Sequence, residues 1–72
     1  MFSQEKFGER LKEVRRFHGE KQSELGEIIG IGKAQVSEME SGKKSTTIEK
    51  FALICEHYQV SADYLLGFTD EK

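Results

Sequence analysis

Residues 22–43, QSELGEIIGIGKAQVSEMESGK, carry two apolar stripes of helical spacing separated by a glycine-rich gap. Leu25, Ile28 and Ile29 repeat at i, i+3 and i+4. Gly30-Ile31-Gly32 then breaks the pattern, Val36, Met39 and Glu40 resume it, and Gly42 stops it. This spacing marks two helices, each with one buried face. Because the gap is only a few residues long, the two helices must cross at close quarters.

The rest of the chain also reads as helix. Helix 1 is expected from about Gln4 to His18, with Ser3 as N-cap, Gly19 as stop, and Phe7, Leu11, Val14 and His18 or Phe17 on one face. Helix 2 starts near Lys21-Gln22 and ends at Gly30, with Glu24 in the first turn where the helix dipole favours an acid. Helix 3 begins after Gly32 and ends near Ser41-Gly42. Helix 4 begins near Thr46, where Thr46-x-x-Glu49 fits a capping box, and buries Ile48, Phe51, Ala52, Cys55 and Tyr58. A short helix 5 is capped by Ser61 and closed by Gly67, and residues 68–72 form a loose tail. No segment reads as a strand, so the fold class is all-α: a compact five-helix domain.

The chain has 72 residues, enough for one domain spanning 1–72 with its core at about 4–67. A chain of this size buries only about 60% of its unfolded surface and is too small for an enclosed catalytic pocket. Its one cysteine, Cys55, lies in an apolar helical pattern and reads as a small buried hydrophobe. An unpaired cysteine fits a reducing cytoplasm. His18 and His57 have no partners at metal-ligand spacing, and Glu38 and Glu40, two apart on a helix, do not face each other. No metal, cofactor, small-molecule ligand, membrane span or catalytic residue is expected, and the chain does not read as an enzyme.

Net charge is −2, unevenly spread. Residues 1–21 carry +2, residues 22–42 carry −3 and residues 43–72 carry −1. The two-helix segment is therefore acidic. Any positive face must draw on Lys21, Lys33, Lys43 and Lys44 and on the helix N-termini.

Two short helices across a tight turn form a helix-turn-helix, whose second helix can enter the DNA major groove. The pattern resembles the repressor–Cro type of DNA-binding domain. The resemblance rests on Gln22, Leu25, Gly30-Ile31, Val36-Ser37, Glu40 and Gly42-Lys43, and on residues 60–67, VSADYLLG, which look like that domain's last helix. It extends from about Phe7 to Gly67.

The resemblance implies that Gln22 contacts a DNA phosphate and braces the third helix, and that Arg15 and Glu40 form a partly buried ion pair. Several positions depart from the family pattern: Lys21 and Gly32 where Ser or Thr usually caps, Gly26 for Ala, Ile28 for a polar residue, and an acid at Glu38. Close approach of another helix is the expected reason for Gly26.

Helix 3 would read bases through Lys33, Ala34, Ser37 and Glu38, with Gln35 nearer the phosphates. Lys suits guanine O6 and N7, Glu suits cytosine N4, and Ala suits the thymine methyl. For Lys33 and Glu38 the competing reading is a solvated helix face. Lys43, Lys44 and Thr46 would form a phosphate clamp.

Two functions are in contention. One is a sequence-specific transcriptional regulator, a homodimeric repressor on a double-stranded operator. The other is a protein-binding module on the same fold, antitoxin-like or an antirepressor, which the acidic motif and Ile28 favour. Leu53, Tyr64, Leu65 and Phe68 are the expected dimer surface, against the alternative that Leu65, Leu66 and Phe68 simply close the core.

Overall fold

Ser3 begins the first helix as expected: its hydroxyl accepts from the Lys6 amide at 3.1 Å, satisfying one of the donors a helix N-terminus leaves open. The computed structural model describes all residues, 1–72, and contains five helices and no strand. They are α1 (Gln4–Phe17), α2 (Gln22–Ile29), α3 (Lys33–Glu40), α4 (Ile48–Tyr58) and α5 (Ala62–Leu66). Phe7, Leu11 and Val14 of α1 meet Leu25 and Ile29 of α2, Val36 and Met39 of α3, Ile54 and Tyr58 of α4, and Tyr64 and Leu65 of α5 in one buried cluster.

Two glycines set how closely the elements approach. A Cβ on Gly8 would lie 2.4 Å from the Met39 carbonyl oxygen, so α1 rests directly on the C-terminal backbone of α3. The sequence reading missed this position. At Gly26 the expected neighbour was another helix. It is instead the turn of the same motif, with the Ile31 carbonyl oxygen 2.5 Å from where a Cβ would stand. A glycine inside a helix costs up to about 1 kcal/mol against alanine, and here it permits both backbone contacts.

Helix α2 is better capped than its Lys21 start implied. The Glu24 carboxylate reaches back to accept from the Lys21 amide at 2.8 Å. On α4 the cap is displaced by one residue. Thr47, not Thr46, accepts from the Lys50 amide, at 3.2 Å, so the expected Thr46–Glu49 box does not form. The buried face of α4 is displaced as well. Ile54 and Tyr58 are buried, with Phe51 and Cys55 half-buried, whereas Ile48 is 83% exposed and Ala52 is exposed. The run IEKFALICEHY has a broad apolar arc with Leu53 lying outside it, so helical period alone did not decide which part of that arc faces in.

Residues 68–72 are tethered by hydrogen bonds rather than loose, although all but Thr69 are exposed. Arg10 of α1 donates to the Tyr64 carbonyl at 2.6 Å and to the Thr69 carbonyl, and pairs with Asp70 at 2.7 Å. Its guanidinium stacks 4.2 Å from the Tyr64 ring centroid. The Ser61 amide donates to the Lys72 carbonyl at 3.0 Å, and the Lys72 ammonium lies 5.0 Å from the Phe17 ring centroid. Phe17 is therefore outside the core. His18 packs its ring 5.1 Å from that of Tyr58.

Candidate nucleic-acid interface

The turn between α2 and α3 is closed by main-chain bonds. Gly30 takes the left-handed conformation at φ 80°, and the Ile31 amide donates to the Gly26 carbonyl at 2.9 Å. Ile31 packs against the core, which fixes where α3 begins. From that start, Val36, Met39 and Glu40 point inward. Lys33, Ala34, Gln35 and Ser37 are exposed and Glu38 is half-exposed. The four residues assigned to base contact thus lie off the buried side of one helix. Gln35 also turns back toward its own N-terminus, where Oε1 accepts weakly from the Gly32 amide at 3.4 Å.

Glu40 anchors this helix from behind. Arg15 donates through Nε to Oε2 at 2.6 Å and through Nη2 to Oε1 at 3.0 Å. Its Nη1 donates to the Glu20 carbonyl at 2.6 Å. Gln22 completes the cluster, its side-chain amide donating to Glu40 Oε1 at 3.0 Å. The hydrogen bond to Glu40 raises the Arg15 guanidinium above its ordinary value, against the opposing effect of burial. Both charges are well paired, the condition under which a buried pair persists. Gln22 therefore braces α3 through Glu40, and an amide nitrogen with one hydrogen bonded in this way has a second to offer.

Beyond α3 the chain folds back over its end. The Glu38 carbonyl accepts from Lys43 N at 2.9 Å, Lys44 N at 3.3 Å and Ser41 Oγ at 3.1 Å. The amides of Lys43 and Lys44 are accordingly engaged, while both side chains extend outward. Thr46 is half-buried in a shallow cleft with Gln35, Thr47 and Lys50. The cleft brings together two residues assigned to phosphate contact. It adds Lys50, which sequence reasoning passed over because its place beside α3 depends on how α4 is seated.

Of the residues assigned to a dimer surface, two are exposed and two are not. Leu53 is 44% exposed and Phe68 56% exposed, whereas Tyr64 is 5% and Leu65 0% exposed. Tyr64 and Leu65 are core residues, because α5 is too short to close the base of the domain without them. The Tyr64 hydroxyl also bonds Glu13.

An all-helical domain that presents one polar helix face across a glycine turn, with that helix pinned from behind by an ion pair, is a helix-turn-helix domain. The chain belongs to the helix-turn-helix family, in its Cro/C1 form, and the family model matches residues 11–65. It is 35% identical over 63 residues to the HTH-type transcriptional regulator YobD of Bacillus subtilis, covering 88% of this chain and 56% of the relative. It is 32% identical over 60 residues to the antitoxin PezA of Streptococcus pneumoniae, covering 83% and 38%. The chain therefore spans about half the length, or less, of these two curated relatives. Among solved structures it is similar to the P22 c2 repressor protein in complex with a synthetic operator. That match has a TM-score of 0.81 at 27% identity and covers 88% of this chain and 96% of the other.

Proposed function

We propose that the chain is the DNA-binding module of a transcriptional regulator, acting as a homodimeric repressor that reads an operator's major groove with α3. One observation carries this reading. The exposed side of α3 gathers Lys33, Ala34, Ser37 and Glu38, while Glu40 on the opposite side is tied to α1 through Arg15. A reading helix needs variable polar chemistry outside and fixed orientation inside. The similarity to a repressor whose structure holds an operator supports the same reading.

In this reading Lys33, Ala34, Ser37 and Glu38 meet base edges. Gln22, Gln35, Lys43, Lys44 and Thr46 meet phosphates, joined by Lys50. Leu53 and Phe68, the exposed members of the expected pairing surface, join two protomers over half-sites about 34 Å apart. The module binds rather than catalyses and works in the cytoplasm, a setting the single unpaired cysteine supports.

The second reading, an antitoxin-like partner for another protein, draws on the similarity to PezA and on the net charge of −3 over residues 22–42. Gel shifts with DNA flanking the chain's own gene, repeated across salt, separate the two. Regulator function predicts retarded complexes that survive random competitor DNA and weaken as salt rises. No complex even at low salt would favour the protein-binding reading.

A further inference from the structure

Glu38 is the anomaly of the reading face: a carboxylate on a helix that must approach a phosphate polyanion. Its nearest cation is Lys44, with Nζ 3.6 Å from Oε1. The two side chains are 39% and 64% exposed. Their juxtaposition follows from the backbone. The Glu38 carbonyl receives the amides of Lys43 and Lys44 and the Ser41 hydroxyl, so the turn at 41–44 is folded onto residue 38 itself. Lys44 thus starts from a fixed point beside Glu38.

We infer that Lys44 is a positioning residue for base recognition: it neutralises and orients the Glu38 carboxylate so that Glu38 accepts a hydrogen bond from a cytosine amino group in the major groove. The inference rests on the proposal that α3 enters that groove. An ionised carboxylate only accepts, and Lys44, 3.6 Å from Oε1, attracts it as a neighbouring charge without a hydrogen bond, so both oxygens stay open to a donor. Guanine presents two acceptors in the major groove and thymine an acceptor and a methyl group, so both repel or ignore it. Adenine offers a donor but sets the N7 acceptor beside it. Cytosine offers the N4 donor alone. Without a cation beside it, the carboxylate would be pushed away from the backbone phosphates before reaching any base. Exposed ion pairs contribute little to folding, so removing Lys44 leaves a folded protein whose DNA binding can be read directly.

The experiment selects duplexes from a randomised pool with the full chain. It then measures binding of the parent, Lys44→Ala, Lys44→Arg, Lys43→Ala and Glu38→Ala to the selected duplex and to versions with each base pair replaced. The parent should prefer cytosine at one half-site position by about fivefold or more, the lower end for a good base contact. Glu38→Ala should abolish that preference. Lys44→Ala should reduce it to less than about half, Lys44→Arg should restore it, and Lys43→Ala should keep it while weakening every duplex alike. If Lys44→Ala keeps the cytosine preference and only weakens all duplexes equally, Lys44 is a phosphate contact alone, without the further positioning role, and the inference falls while base reading by α3 stands. If the parent selects duplexes but shows no Glu38-dependent preference, the inference likewise falls. Failure of the parent to enrich any duplex would remove the DNA-binding proposal itself, and this inference with it.

Discussion

Arg15 on α1 grips both carboxylate oxygens of Glu40 on α3, at 2.6 and 3.0 Å, with the paired side chains 10% and 3% exposed. This bond joins the scaffold to the helix proposed to read DNA. Truncating one partner of a buried pair strands the other charge and costs roughly 3–5 kcal/mol, a large share of a small domain's stability. Glu40→Ala should therefore lower the urea midpoint steeply, whereas Glu38→Ala, which removes only a half-exposed pair, should leave it almost unchanged. Equal midpoints would contradict the anchoring role.

Gly8→Ala should destabilise despite alanine's better helix propensity. Its Cβ would stand 2.4 Å from the Met39 carbonyl oxygen, so α1 and α3 must move apart. Overpacking of this kind costs about 1–3 kcal/mol, against about 1 kcal/mol of propensity gained. Gly32→Ser is the matching control. Nothing lies within 4 Å of a Cβ there, and serine is a better N-cap than glycine by a few tenths of a kcal/mol. Calorimetry on both variants should give Tm changes of opposite sign.

Glu20 sets part of the acid stability. Burial raises its carboxyl, but the hydrogen bonds from His57 at 2.7 Å and Tyr58 at 2.8 Å outweigh this and hold it below the ordinary 4.5. A carboxyl depressed in the folded state stabilises above its unfolded value, and that contribution is lost as pH falls through the folded value. Unfolding free energy measured from about pH 7 down to about pH 3 should thus fall less steeply in Glu20→Gln than in the parent. Tyr58 acts at the other end. Burial, and then its bond to Glu20, raise its hydroxyl well above the ordinary 10, so its contribution is lost only as pH climbs past that value. Tyr58→Phe should flatten the alkaline limb.

Leu53→Asp and Leu65→Asp should fail differently. Leu65 is fully buried, so an aspartate there should unfold the chain. Leu53 is 44% exposed, so Leu53→Asp should fold normally. On the proposed pairing it should sediment as a monomer at concentrations where the parent forms dimers. A parent that remains monomeric at all concentrations, and binds its whole operator site with a single protomer, would contradict homodimer formation.

Helices α1 to α3 and α5 were legible because each shows one apolar stripe and a local start or stop: Ser3, the glycine turn at 30–32, Ser61 and Gly67. The phase of α4 was not legible. Ile48, Ala52 and Leu53 are as apolar as Phe51, Ile54 and Cys55, and only the seating of α4 against α2, with Phe51 beside Phe7 of α1, decides among them. The Arg15–Glu40 pair was accessible only through resemblance, since 25 residues separate its members. Gly8 gave no signal, because a lone helical glycine does not announce which backbone will press on it. The docking of residues 68–72 was hidden for a related reason. It depends on Arg10, 59 and 60 residues away from Thr69 and Asp70, needing acceptors where α1 meets α5.

The central claim, that α3 reads sequence while its flanks hold phosphate, is tested most directly by equilibrium binding across a salt series. The parent, Lys33→Ala and Lys43→Ala are each titrated onto a selected duplex and a scrambled one. Lys33→Ala should cost about 1–3 kcal/mol on the selected duplex and leave the scrambled one nearly unchanged. Lys43→Ala should weaken both alike and reduce the slope of log K against log salt by about one. If the two variants lose affinity equally on both duplexes, α3 does not read the bases and the account is wrong.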